Sequence, residues 1–600
     1  MLQADQTIRL GKLAGVNQEP VGRLPQELAD CQNIIGEPSG FSVWGGRTRF
    51  SAAGLGKNRA IRNITWPDEH RSLVVVGEQG VHAIESGIIH HLDYKNDSLA
   101  DEIGGDLRNP VHFTQHSYGR YLIGSFYGRQ SAFYWDGHID RDLGKIETPD
   151  DMEFRVIESW AGRLWGIGSE DFPLQVFFGA IDALKIDAAN WLSFYDNPLT
   201  SRIVGMRAAN RNYAYVWGDR GVFQVEFTGS YPLFVNPQLL HADCDCISNS
   251  SIVQIPGMGF AWMGREGVWM MSGDNIRRID ISYDTTMQAY ARKEYDIRQS
   301  YRLKGEFSKI PIASTHLCSG FWYGKRGLAV WSYPTEACIE QHEWQSPRSI
   351  AWRHSDNTWW LLDQGWQSVA EVVHQGKRLP VGTDQDGYIY LLDHNIAYDK
   401  ISVPVEWSAE FHWQGDPSVK MKFLQAILER PFSGAERVEM EAWTKYQSTP
   451  HKYFFSLDEA YDDASRKRVT YLTVDAAKGD RVLQVQDTVG WPETGFVRVA
   501  DNENREYETL TATTITLKSS AGLGDAYLAD SIVEIKDFDP GGPNDVGLPP
   551  DPMVQCKKMI RLVGNAIKVR LSNKHDNGFW NGPRCPLNSL TILAKTLGSL

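Results

Sequence analysis

One short turn recurs through the middle of this chain and constrains its fold more than any other feature. Gly77-Glu78-Gln79-Gly80-Val81 reads as a hairpin tip entering an apolar strand. It returns as Gly218-Asp219-Arg220-Gly221-Val222, Gly264-Arg265-Glu266-Gly267-Val268 and Gly324-Lys325-Arg326-Gly327-Leu328, and more loosely as Asp384-Gln385-Asp386-Gly387-Tyr388. The start-to-start spacings are 141, 46, 60 and 60 residues, and 141 is three times 47. A period of 40–50 residues with strands on both sides of a glycine turn predicts a β-propeller, in which no single repeat can bury its own faces.

The expected propeller runs over 61–397. Arg71 to Ile84 reads apolar strand, glycine turn, apolar strand; Arg120 to Trp135 and Gly162 to Phe178 fall near the two positions missing from the long gap. The period gives about seven blades, whereas the two 60-residue spacings favour six. The segment 285–299 lacks strand alternation; Met287, Tyr290, Ala291 and Tyr295 fall near one helical face, which predicts a helix inserted between blades, either a contact element or a cap.

On either side the rhythm is absent. Residues 1–60, rich in Gly, Pro and Gln, read as a loop-rich arm or platform. Beyond the propeller, 398–468 with 553–600 reads as a C-terminal β domain interrupted by a small β-module over 469–537 and a Pro/Gly-rich loop over 538–552. The expected fold is therefore mostly β: a six- or seven-bladed propeller with an N-terminal platform arm and C-terminal β-sandwich or barrel domains.

The chain has 600 residues and a net charge of −14, which argues against a nucleic-acid binder that grips phosphate through a basic stripe. Repulsion of that sign still suits a passage through which nucleic acid slides. No apolar run is long enough for a membrane span, and no secretory signal is visible. The seven cysteines are scattered, and Cys244-Asp245-Cys246 lacks zinc-knuckle spacing, so reduced thiols without a metal are expected.

A propeller glycosidase needs paired carboxylates in its central funnel. Asp136, Asp219, Glu226, Glu266 and Asp386 are candidates, but most lie at or near hairpin tips, where charge is ordinary surface. Phosphate-loop, His-Glu-x-x-His and Gly-x-Ser-x-Gly patterns are absent, and no cofactor is expected. His90-His91 and His112/His116 read as polar surface or satisfied core. Trp359-Trp360 and Trp366 could stack on carbohydrate, although core packing is the plainer reading.

The arm carries a more specific pattern: Gly15, Val16, Gln18, Pro20, Arg23, Pro25 and Asn33. It resembles the opening of the tail nozzle proteins of short-tailed bacteriophages, also called tail tubular protein B. It departs from their pattern at Ala14, Asn17 and Glu19, and Gly40 to Arg47 replaces their later Lys-Arg-Pro. Within the inserted module, Asp487 to Pro492 is similar to the Asp-x-x-Gly-aromatic-Pro turn of small β-modules in phage tail proteins. The resemblance implies a structural virion protein without catalysis. It implies a homo-hexameric ring at the tail that docks on the head–tail adaptor through the arm, carries fibres or spikes, and passes phage DNA without specific binding. An arm that covers a sheet edge within its own subunit is the structural alternative. A carbohydrate- or receptor-binding propeller, or a glycoside-hydrolysing one, is the functional alternative.

Overall fold

The computed structural model describes most of residues 6–599; outside the described residues lie 1–5, 19–26, 93–108, 230–233, 284–298, 341–346, 457–468, 489–494, 537–552, 580–588 and shorter stretches. The chain divides into two units, one of Gln18–Gly22 with Arg49–Leu391, the other of Met1–Asn17, Arg23–Thr48 and Leu392–Leu600.

The first unit is a β-propeller. Among the described residues, four-stranded sheets occupy 58–92, 112–145, 156–193, 203–241, 253–278 and 319–362. A seventh takes three strands from 369–395 and its fourth from Gly46–Arg49. The count is seven blades; insertions around blade 6 and a copy of the turn that joins a different strand pair, not a missing blade, account for the later spacings. The first strands of successive blades are neighbours over most of the ring, blade 7 beside blade 1 included, so they surround a common axis.

The repeated turn is less uniform in space than in sequence. In blades 1, 4 and 5 it joins the second and third strands. The Gly324 copy joins the first and second strands of blade 6. Blade 6 instead carries the helix Glu336–Glu340 between its second and third strands, and the hairpin of Ile281–Tyr283 with Gln299–Tyr301 precedes it. The predicted helix over 285–299 lies outside the described residues except for Gln299.

The packing explains why a blade cannot stand alone. Along Arg71–Gly77, Val74 and Val76 pack toward blade 2 while Leu73 and Val75 pack toward blade 7. Side chains alternate faces on a strand, and here both faces are buried, so the sequence reads as an unbroken apolar run. Further apolar clusters join blades 2 and 3, 3 and 4, and 4 and 5. Trp359, Trp360 and Trp366 are fully buried; they are core, not exposed stacking platforms.

The segment leading into blade 1 is tied to blade 7 by backbone bonds, and the two blades share side-chain bonds and a core. Phe50 N and Leu55 N donate to the carbonyls of Ile389 and Gly387, each at 2.7 Å. Ser368 Oγ bonds both the N–H and the carbonyl of Ile61 at 3.2 Å, and Asn63 Nδ2 donates to Glu371 O at 2.6 Å. Leu55, Ile61 and Val75 share one cluster with Val372, Val381 and Ile389.

In the second unit the arm is not a separate body. Gln6–Leu10 is an edge strand of a four-stranded sheet, paired antiparallel with Ser589–Ser599. Leu28–Gln32 is the edge of a five-stranded sheet, against Ser408–Phe411. The two sheets touch through His451–Ser456 and Met553–Gly564, where Tyr453 Oη donates to Ile560 O at 2.6 Å. The inserted module is a six-stranded sheet over 469–536 with its own core of Leu483, Val497, Tyr507, Ile515 and Val533. Of its Asp487 to Pro492 turn, only Thr488 is described.

Gly221 sits at φ +90°. A Cβ there would lie 2.8 Å from Asn197 Nδ2 and 3.2 Å from the His241 carbonyl. Gly273, at φ +59°, has open space around its missing Cβ. Gly273→Ala should therefore carry only the left-handed penalty of about 1 kcal/mol, and Gly221→Ala about 2 kcal/mol or more. Thermal melting of the two variants should show the larger fall in Tm for Gly221→Ala.

Candidate functional site

The first strands bring polar side chains to the propeller axis, and one carboxylate organises them. Glu158 stands mid-strand in Val156–Trp160 with only 8 % of its surface exposed. Its Oε1 accepts from Thr114 Oγ1 at 2.6 Å, and its Oε2 lies 3.2 Å from His112 Nε2 and 3.4 Å from Arg207 Nη1. Arg207 also donates to Asn249 Oδ1 at 2.7 Å and to Asn249 O at 2.8 Å. The Asn249 amide nitrogen lies 3.2 Å from His112 Nδ1. The circuit links blades 2, 3 and 4 to the turn that opens blade 5.

The circuit assigns the protons. Asn249 Oδ1 receives Arg207, so its amide N–H points at His112 Nδ1, which must hold a lone pair. His112 Nε2 then carries the hydrogen and donates it to Glu158. Burial lowers the His112 pKa below 6.5, only partly opposed by Glu158, which agrees with a neutral ring. Burial alone would raise Glu158; the hydrogen bond from His112, the charge of Arg207 and the hydroxyl of Thr114 outweigh it and hold the carboxyl below its ordinary value. Gly205 makes room for the circuit, since a Cβ there would fall 2.3 Å from Asn249 Oδ1.

Beside this circuit a cavity of about 460 Å³ opens among the first strands of blades 1, 5, 6 and 7. Arg62, Arg71, Arg378 and Glu371 supply its charges, and Phe321 and Trp322 an apolar wall. Arg62 is accessible yet walled by protein; burial lowers its pKa and the charge of Glu158 opposes that.

The arm residues serve the chain's own fold where they are described. Gly15, at φ +85°, accepts from Leu28 N at 2.9 Å, and Val16 is fully buried on a parallel bridge to Leu28. Asn33, at φ +52°, donates its amide to Glu406 O at 2.8 Å. Gln18 belongs to the propeller unit, where its Nε2 donates to Glu306 Oε1 at 3.0 Å. Burial tends to raise Glu306, but Lys309 at 2.6 Å and Tyr333 Oη at 2.5 Å bring it below its ordinary value. Pro20, Arg23 and Pro25 lie outside the described residues.

The carboxylates suggested by a glycosidase reading are not brought together in the funnel. Asp136 binds Arg141 and the His138 N–H at a blade tip, and Asp219 receives the N–H groups of Ser201 and Arg202. Glu226 and Glu266 are exposed, and Asp386 is outside the described residues. Sequence reasoning passed over Glu158 and Arg207. Their signal was a charge inside a largely apolar strand, Glu158 in Val-Ile-Glu-Ser-Trp and Arg207 in Ile-Val-Gly-Met-Arg-Ala, which is weak without knowing which strand lines the axis. His112 is satisfied on both ring nitrogens, whereas His116 is buried with Nδ1 2.9 Å from Ser159 Oγ and no hydrogen-bond partner on Nε2 among the described residues. Among the described residues no His, Cys, Asp and Glu group could hold a metal; Cys244, Cys246, Cys318 and Cys338 are free and buried, and Cys31 is buried. Nor is any described helix long and apolar enough to cross a membrane.

No family profile matches this sequence, and no curated protein does. Among solved structures, the extracellular domain of a one-component system protein from B. thetaiotaomicron aligns at 9 % identity and a TM-score of 0.35, covering 84 % of this chain and 60 % of its own. An auxiliary nutrient binding protein from Bacteroides thetaiotaomicron aligns at 11 % identity and 0.28, over 64 % and 76 %. A gluconolactonase from Xanthomonas campestris aligns at 10 % and 0.27, over 60 % and 99 %. Likeness at this level says nothing of function.

Removing Glu158 leaves Arg207 without its carboxylate, so Glu158→Ala should cost about 3–5 kcal/mol and lower the propeller's melting temperature. Acid should act in the same direction. His112 and Glu158 both have folded pKa values below their ordinary 6.5 and 4.5, so the unfolded chain takes up their protons first. Stability is complete above about 6.5, falls as His112 titrates, and falls again between about 4.5 and 2. Melting temperatures from pH 7 to pH 4 should decline, and His112→Gln should flatten the upper part of the decline.

Proposed function

We propose that this protein is a structural component of a short-tailed phage virion: a tail nozzle that assembles as a hexameric ring, docks on the head–tail adaptor and encloses the path of DNA during ejection. The observation that carries the reading is the arm pattern Gly15, Val16, Gln18, Pro20, Arg23, Pro25 and Asn33, followed by a propeller and a small β-module. The described pattern residues act by holding the arm's course: two at positive φ, one buried in a bridge and one on a buried carboxylate. On this reading the contacts to the adaptor belong to the surface those residues shape.

Two physical features agree with a conduit. The chain carries −14, multiplied in a ring, and such a wall repels DNA and does not retain it. Side chains from several blades occupy the propeller axis, so DNA would run between copies and not through any one propeller. Catalysis is not part of this role. Glu158, pinned in its ionised form by Arg207 and His112, is a poor proton donor at neutral pH.

Cryo-electron microscopy of virions should place the chain in a six-fold ring at the distal tail; density at any other position or symmetry would overturn the reading. Purified protein should leave capsule and peptidoglycan glycans intact. Cleavage that disappears on replacing an axial carboxylate would establish an enzyme instead.

A further inference from the structure

The cavity beside the Glu158 circuit carries charge opposite to that of the chain. Three arginines and one glutamate line it, in a protein of net charge −14. Among the described residues Arg62, Arg71 and Arg378 form no ion pair, although Arg207 is matched by Glu158 and Arg278 by Asp280. We propose that this cavity is a binding site for a small organic oxyanion, a carboxylate- or phosphate-bearing molecule held by Arg62, Arg71 and Arg378.

The geometry limits what can enter. A volume of about 460 Å³ is that of a small-molecule site. The three guanidinium groups come from blades 1 and 7, and the apolar wall of Phe321 and Trp322 from blade 6, so charge and apolar surface lie on different sides. Trp322 is held flat against His354, ring centres 5.7 Å apart and planes 6° from parallel. That wall suits a carbon skeleton, while guanidinium forks suit the planar or tetrahedral oxygens of the charged group. Arg62 supports the assignment, since an anion would offset the burial that disfavours its charge. Glu371, the remaining charge of the lining, opposes a ligand anionic at both ends and favours one with hydroxyls.

Isothermal titration of the intact protein at low salt with glucuronate, glucose 6-phosphate and glucose tests the site. At least one of the two anions should bind saturably with a Kd below about 1 mM, and glucose at least about tenfold more weakly. Arg71→Gln and Arg378→Gln, both at solvent-accessible positions, should each weaken the anion about tenfold while leaving the melting temperature near that of the parent. Arg62→Gln should weaken it at least as much. Absence of saturable binding by both anions, equal binding of glucose, or unchanged affinity in Arg71→Gln and Arg378→Gln would overturn the proposal.

Discussion

Everything in the propeller depends on the meeting of its last blade with its first. The apolar clusters lie between blades, so each sheet offers two buried faces and needs two neighbours. An open row would leave Leu73 and Val75 at one end, and Val372 and Val381 at the other, facing water. Backbone bonds from Phe50 and Leu55 to Ile389 and Gly387 bring those ends together over a separation of more than 330 residues in the chain. Such a contact is entropically expensive, because a long loop must be closed before any packing offsets the cost. Shared burial across the seam compensates.

Closure creates an axis, and the axis is where the propeller departs from a simple apolar core. First strands converge there and bring polar and charged side chains together. One region is filled by the Glu158 circuit, in which each polar group has a partner and each proton a defined place. The neighbouring region, under blades 1, 5, 6 and 7, is left as a cavity with unmatched arginines. A satisfied network rigidifies; an unsatisfied one is where a ligand gains most.

Much of this architecture could be read from spacing alone. The apolar runs around Gly77, Gly218 and Gly264 mark paired strands because a two-sided burial demands them, and their 47-residue period marks blades. The ambiguity between six and seven arose at Gly324, where a look-alike turn joins a different pair of strands. Nothing local distinguishes the two hairpins, since both need glycine for the same backbone reason. The arm was harder. Gln6–Leu10 and Leu28–Gln32 look loop-like in isolation because their partners, Ser589–Ser599 and Ser408–Phe411, lie hundreds of residues away.

The candidate sites divide in the same way. The arm pattern was visible as a string of residues, but that Gln18 reaches Glu306 and Asn33 reaches Glu406 could not be seen in it. Glu158, Arg207 and Asn249 are separated by about 40–50 residues each, one blade apart, and become neighbours only where the blades converge. The sequence by itself determined the repeat, the strand-rich class and the position of the turns, because those follow from alternation and glycine conformation, which are local. Only the tertiary structure decided the seven-fold closure, the paired and unpaired charges at the axis and the role of the arm as sheet edge, because each depends on which distant strands meet.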